Sequence, residues 1–324
     1  MTAPILRSVL APAMHELLKL RQALGFQDKT FVTLLASFDR FVSERGQTDP
    51  WLTRESAEAW VSSNSQLKAR ARAHRFSALR VLGRFIADQY PQTYVPGPTP
   101  GLASTFRPHI YTPLEIQSLL AEAARLKPTG SLRPLTYVTL IGLLYCAGLR
   151  VSEALAFRLA DVDLDEGLLT ITKTKFHKSR AIPIEPDVTH ALQAYVDARR
   201  RYRHCTASEA PFFVNEWHRP CSYATVVATF LGIARRAGIR GAPGQQGPRL
   251  HDVRHSFAVH RLLAWYRDGG DVQARLPLLA TYMGHVCLVS TQVYLDITAE
   301  LLHEAARRFH APRLPDLGDA ICQP

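Results

Sequence analysis

The stretch HDVRH, residues 251–255, sets two histidines one helical turn apart with an arginine between them. That spacing suits two chemistries. His251 and His255 would present imidazoles on one helix face, as zinc ligands do. His251 and Arg254 would instead pair a proton-handling ring with a planar fork of N–H donors that matches two phosphate oxygens. The neighbouring residues favour the second. Position 252 is Asp and position 254 is Arg, so the glutamate of an HExxH zinc hydrolase is missing and a cation would sit inside the metal site. Cys146, Cys205, Cys221, Cys287 and Cys322 form no CxxC pair and are odd in number, which offers neither a zinc scaffold nor a disulfide framework. No metal or other cofactor is expected.

Other stretches carry groups of the same kind. CAGLRVSEAL places Arg150 just beyond an apolar helix and a glycine, where Glu153 either orients it or forms an ordinary ion pair with it. TKTKFHKSRAIPI offers Lys173, Lys175 and Lys178 in one turn. YMGHVCLVSTQVYLDIT sets His285 behind Gly284 and, nine positions on, Tyr294 in an apolar frame of Val293, Leu295 and Ile297. Alone, such a tyrosine is more often core than catalyst.

The elements that must hold these groups are mostly helical. Apolar spacing predicts helices through residues 1–95, with Phe31, Leu34, Leu35, Phe38, Phe41 and Val42 on one face and Thr53 capping the next helix. The helix at 67–88 turns Leu79, Leu82, Phe85 and Ile86 inward and carries Lys68, Arg70, Arg72, Arg75, Arg80 and Arg84, with no acid until Asp88. A solvated basic face is the common reading of such a run; its one-sign character favours a surface facing phosphates. Residues 90–110 hold five prolines, and 96–111 reads as a linker between two domains, 1–95 and 112–324.

Beyond the linker, Thr112, Pro113 and Glu115 spell a helix start, and Gly148 ends the apolar helix LTYVTLIGLLYCAG. LLTIT and RAIPI read as a β-hairpin with Pro183 marking an edge strand. Helices follow at about 186–203, 222–237, 251–268, 276–283 and 299–310. The Gly/Pro-rich stretch before His251 reads as a mobile loop, and WYRDGGDVQARLPLLA as an extended loop that contacts a partner or DNA. The fold class is mainly α with a small antiparallel sheet.

Bulk properties fit a nucleic-acid partner. The 324-residue chain carries a formal net charge of +11, which favours a polyanion, and its 47% hydrophobic residues suffice for packed cores. No signal peptide is evident and no apolar run is long enough to span a membrane, so a cytoplasmic protein is expected.

In order and spacing, GLRVSEAL, a hairpin lysine, HDVRHSFA, MGH and TQVYLDI resemble the tyrosine recombinase (phage integrase) family over about residues 112–310. The resemblance implies a helical core-binding domain ahead of a catalytic domain and a site-specific DNA recombinase that needs no metal. In it, Tyr294 would attack the scissile phosphate and form a 3′-phosphotyrosyl link, which a 5′-hydroxyl can reverse without ATP. A phenol of pKa about 10 needs help to do this at neutral pH. Arg150 and Arg254 would hold the non-bridging oxygens of the pentavalent transition state, His251 would move the tyrosine proton, and His285 would hydrogen-bond the phosphate.

Lys175 matches the family's general acid for the 5′-oxygen, with Lys178 as the alternative and otherwise a DNA contact beside Lys68, Arg70, Arg72, Arg75 and Arg80. The implied partners are double-stranded DNA, further copies of the chain in a tetramer, and accessory recombinases or DNA-bending proteins. TAELLHEAARRFH would dock in cis or in trans. A mobile-element role is expected. The competing readings are a type IB topoisomerase, an inactive DNA-binding relative and a zinc hydrolase.

Overall fold

The computed structural model describes residues 5–26, 29–98, 108–172 and 179–284. They fall into two compact units, one within residues 5–98 and one within 108–284.

The first unit consists of α1 (Ala11–Ala23), α2 (Lys29–Glu44), α3 (Arg54–Ser62) and α4 (Ala69–Ala87). The apolar stripe of α2 buries Leu35, Phe38 and Val42, flanked by Phe31, Leu34 and Phe41, against Leu10, Met14, Trp60, Leu79, Leu82 and Ile86. Asp39 interrupts that stripe yet is buried, because its carboxylate accepts the N–H groups of Arg7 (2.8 Å) and Ser8 (3.0 Å) and the Ser8 hydroxyl (2.5 Å). It thereby fixes the chain entering α1 and satisfies its own charge. Thr53 caps α3, accepting from the Ser56 N–H at 3.1 Å.

The second unit begins with a buried Tyr111 and α5 (Pro113–Ala124), whose capping box is complete: Thr112 Oγ1 accepts the Glu115 N–H at 3.2 Å and Glu115 Oε2 accepts the Thr112 N–H at 2.7 Å. Next comes α6 (Arg133–Ala147), in which Cys146 alone is exposed. It ends at Gly148, left-handed at φ 58°. A β-carbon there would lie 2.2 Å from a ring carbon of Phe257, so both the backbone angle and the close approach of a later helix demand glycine.

After the short α7 (Val151–Ala156) and a 3₁₀ turn at Leu159–Asp161 come β1 (Val162–Asp163), β2 (Leu168–Ile171) and β3 (Arg180–Pro183). They form one antiparallel sheet in the order β1-β2-β3, with Val162 and Ile182 both opposite Leu169, and Arg180 opposite Ile171. Sequence analysis expected two strands; β1 is a third, too short to show alternation. Pro183 lies on an edge strand, as expected.

Four helices complete the unit: α8 (Pro186–Arg201), α9 (Tyr223–Arg236), α10 (Leu250–Arg267) and α11 (Val272–Met283). Residues 265–280 are a correction to the sequence reading. They form no extended loop, since 265–267 finish α10 and α11 starts at Val272, four residues before the expected 276. Asp271 sets that start by accepting the Ala274 N–H at 3.1 Å, and the helix runs on through Pro277. The Gly/Pro-rich stretch is laced from within by Arg240, which donates to the carbonyls of Pro248 (2.6 Å) and Gln245 (3.0 Å). Among the described residues no helix is long and apolar enough to cross a membrane.

Candidate active site

The site is built around the first turn of α10. Asp252 is fully buried, and its carboxylate accepts the backbone N–H of Arg249 (2.9 Å) and the Arg249 Nη2 (2.8 Å), closing a cap at the helix start. In the motif HDVRH the aspartate thus serves the helix terminus. His251, Arg254 and His255 lie on the helix that this cap starts. His251 stands at the surface, and its ring meets that of His255 edge-on, centroids 4.9 Å apart at 87°. Arg254 turns inward and is 3% exposed. Among the described residues no group of three His, Cys, Asp or Glu side chains is placed to share a metal ion with the two histidines.

A buried guanidinium is costly unless its N–H groups find acceptors. Arg254 Nη1 donates to the Gly148 carbonyl at 2.6 Å and Nη2 to the Met283 carbonyl at 2.8 Å. Both acceptors are ends of helices, α6 and α11, where carbonyls lack intrahelical partners and the helix dipole welcomes a cation. Arg150 reaches the same place from α7. Its Nη2 donates to the Gly284 carbonyl at 2.9 Å and its Nη1 to Glu153 Oε1 at 2.8 Å, while Glu153 Oε2 accepts the Arg150 backbone N–H at 3.0 Å. The Arg150 side chain remains 37% exposed, so its charge is anchored yet accessible. Two arginines far apart in sequence therefore converge on residues 283–284, immediately ahead of His285.

A third cation, Arg180, completes the cluster. Its Nη1 and Nη2 donate to the two Glu153 oxygens at 3.2 and 3.0 Å, and its Nε donates to the Tyr282 carbonyl at 3.1 Å. Gly284 is left-handed at φ 69°, and a β-carbon there would come within 2.5 Å of Arg180 Nη1. Sequence reasoning did not single out Arg180. The available signal was period-two alternation: Arg180 shares a strand face with buried Ile182, and a cation on the buried face of a strand needs a reason.

The electrostatics follow from this crowding of positive charge. Desolvation of its inner edge, together with Arg254, Arg249 and Arg150, lowers the His251 pKa below the ordinary 6.5. Desolvation, with His251, Arg249 and Arg254, brings His255 down to about 4. Both rings are therefore neutral at pH 7 and able to accept a proton. Burial would raise Glu153, but hydrogen bonds from Arg180 and from the Arg150 N–H hold it below its usual 4.5, so it is ionised.

Lys173, Lys175, Lys178, His285 and Tyr294 lie outside the described residues. In the first unit, Lys68, Arg70 and Arg72 are exposed at the start of α4. The other two expected DNA contacts there have intramolecular partners. Arg75 donates to the Trp60 carbonyl and to Ser63 Oγ (3.2 Å) and stacks over the Trp60 ring at 4.6 Å. Arg80 donates to the carbonyls of Pro96 (2.8 Å) and Gly97.

Comparison with known proteins gives a consistent picture. The model of the Phage integrase family matches residues 110–300. A Sinorhizobium fredii protein named as an integrase/recombinase, y4rB, is 38% identical over 308 residues, 93% of this chain and 97% of that one. The fold is shared with the Tn1549 transposon integrase solved with transposon right end DNA (TM-score 0.65, 15% identity, 94% of this chain and 100% of that one). It is also shared with a lambda integrase solved as a tetramer on a Holliday junction (TM-score 0.60, 17% identity, 89% and 77%).

Proposed function

The chain belongs to the phage integrase family of tyrosine recombinases, which cleave and rejoin DNA, and on that premise we propose that it exchanges strands between specific sites through a 3′-phosphotyrosyl intermediate on Tyr294. The observation that supports this most is the convergence of Arg150 and Arg254 on the carbonyls of residues 283–284, beside a neutral His251. Fixed guanidiniums are the groups best suited to a phosphorane: they neutralise charge as it develops and need no reorganisation at the moment of reaction.

In the proposed reaction, the Tyr294 oxygen forms a bond to phosphorus as the bond to the 5′-oxygen breaks. The tyrosine proton passes to His251, and Lys175, or Lys178 in its place, protonates the departing 5′-oxygen. Arg150 and Arg254 grip the non-bridging oxygens, and His285 adds a hydrogen bond. Reversal by the 5′-hydroxyl of another strand regenerates the tyrosine, since the phosphotyrosyl ester keeps the energy of the broken diester. The first unit, with Lys68, Arg70 and Arg72 exposed, acts as a core-binding domain that holds duplex phosphates, and the second unit does the chemistry. The working assembly is a tetramer on two DNA sites, a reading supported by the lambda integrase neighbour solved as a tetramer bound to a Holliday junction, and the element moved is a mobile one, a reading supported by the Tn1549 transposon integrase neighbour. Accessory recombinases or DNA-bending proteins join where the sites require them.

The test is covalent capture on a library of nicked DNA fragments, followed by sequencing of the captured ends. The wild-type protein should capture a discrete site, and Tyr294→Phe should bind the same fragment without capturing it. Capture by Tyr294→Phe at the wild-type level contradicts the assignment. Relaxation of any supercoiled plasmid without site selection would mark topoisomerase activity instead.

A further inference from the structure

We propose that Arg180 is a positioning residue for strand cleavage, holding Glu153 and the last turn of α11 so that Arg150 offers the scissile phosphate an uncompensated positive charge. The inference rests on the assignment of Arg150 to the phosphate.

The argument is one of charge balance. Glu153 is the only carboxylate hydrogen-bonded to Arg150 among the described residues. Left as a pair, the two would neutralise each other, and Arg150 would have little to offer an anion. Arg180 changes this. It takes both carboxylate oxygens in a fork, at 3.2 and 3.0 Å, with the two side chains only 13% and 10% exposed. A shielded, two-pronged pair of this kind dominates the carboxylate's electrostatics. Two guanidiniums now share one negative charge, and the exposed member, Arg150, faces solvent with the excess.

Arg180 also fixes position. Its Nε donates to the Tyr282 carbonyl and its Nη2 to the Met283 carbonyl at 3.3 Å. Arg254 Nη2 binds the same Met283 carbonyl, and Arg150 Nη2 binds that of Gly284. One side chain therefore touches the carboxylate that aligns Arg150 and the backbone turn on which both proposed phosphate ligands rest. A residue serving only to cap α11 would need the carbonyl contacts alone; the fork on Glu153 is what ties it to Arg150.

The experiment uses the full chain and the nicked fragment captured by the wild-type protein. Single-turnover cleavage and fragment affinity are measured for Arg180→Ala, Arg150→Ala, the double variant and Arg180→Lys. Arg180→Ala should slow cleavage about 10–100-fold, with affinity within about threefold of wild type, and the double variant should be no more than about twofold slower than Arg150→Ala. On a fragment whose scissile phosphate bears a neutral methyl in place of one non-bridging oxygen, the Arg180→Ala deficit should shrink, because the charge that Arg150 must meet is gone.

Multiplying deficits, a deficit unchanged on the methyl-substituted fragment, or wild-type cleavage by Arg180→Ala would each overturn the inference. If Arg180→Ala does not fold, Arg180→Lys decides by the same criteria, since lysine keeps the charge but cannot span both carboxylate oxygens and two carbonyls. Slow Arg150→Ala with normal Arg180→Ala refutes this inference alone. Wild-type cleavage by Arg150→Ala refutes the phosphate assignment beneath it.

Discussion

The basic residues of α4 and those around the α10 N-terminus are the same amino acids in two different physical states. Lys68, Arg70 and Arg72 are exposed at the mouth of a helix, where a charge is well hydrated and its orientation is loosely held. Arg254 is buried and Arg180 mostly so, with their N–H groups on named carbonyls and a carboxylate, and Arg150 is anchored at two points with its outer edge accessible. The first arrangement attracts a polyanion without regard to position. The second can meet charge only at one place, which is what a transition state requires and a ground-state duplex does not. On the proposed function, positive charge on the chain would do two jobs, and burial and anchoring tell the two kinds of cation apart.

Three measurements sharpen that contrast. The largest effect is expected from Arg254→Lys, which keeps the charge and loses the fork. Single-turnover cleavage should fall about 10²–10³-fold, while fragment affinity changes far less. A drop in affinity equal to the drop in rate would make Arg254 another generic phosphate contact.

The second is the pH profile of cleavage. His251 must be neutral to take a proton, and its pKa lies below 6.5. The rate should therefore be level above pH 6.5 and fall at lower pH by roughly tenfold per unit, a limb that His251→Gln should lack. Stability must be followed in parallel by circular dichroism. Between pH 6.5 and about 4 the unfolded chain binds a proton at His255 that the folded chain refuses, so stability declines as pH falls through that window. Glu153, ionised below its usual 4.5, adds a further loss at still lower pH. A limb in the rate at pH values where the protein is fully folded belongs to the site.

The smallest effect is expected from α4. Lys68→Ala, Arg70→Ala and Arg72→Ala should each lower the salt dependence of DNA binding by a slope of about 0.9 and leave the cleavage rate of bound DNA unchanged. Arg75→Ala and Arg80→Ala should act on the stability of the first unit, because their guanidiniums hold the Trp60, Pro96 and Gly97 carbonyls. Equal salt-slope changes from all five would erase the distinction between exposed and engaged cations.

What sequence could disclose follows the same physical line. Thr53, Thr112, Pro113, Glu115 and Gly148 were readable because a cap is a local contract between residues three or four apart. The stripe of α2 was readable from its period, and the buried α6 from being apolar on nearly all sides. Strand β1 has only Val162 and Asp163 and can show no period, and α11 was read too short because its start is set by the cap at Asp271, six residues ahead of Pro277, through which the helix runs. Arg180 escaped because its partners Glu153 and Tyr282 come from other elements. Counting the cations of α4 likewise missed that Arg75 reaches back 15 residues, and Arg80 forward 16, to backbone carbonyls.

The central claim is that a phenolic oxygen of this chain carries the DNA between cleavage and rejoining. Trypsin cuts after Arg275 and Arg307, so one peptide, 276–307, holds both Tyr282 and Tyr294. The covalent complex trapped on a nicked fragment, digested with nuclease and trypsin, should yield that peptide bearing a nucleotide, with fragmentation placing it on Tyr294. A nucleotide on Tyr282, on any other peptide, or on none at all would contradict the account.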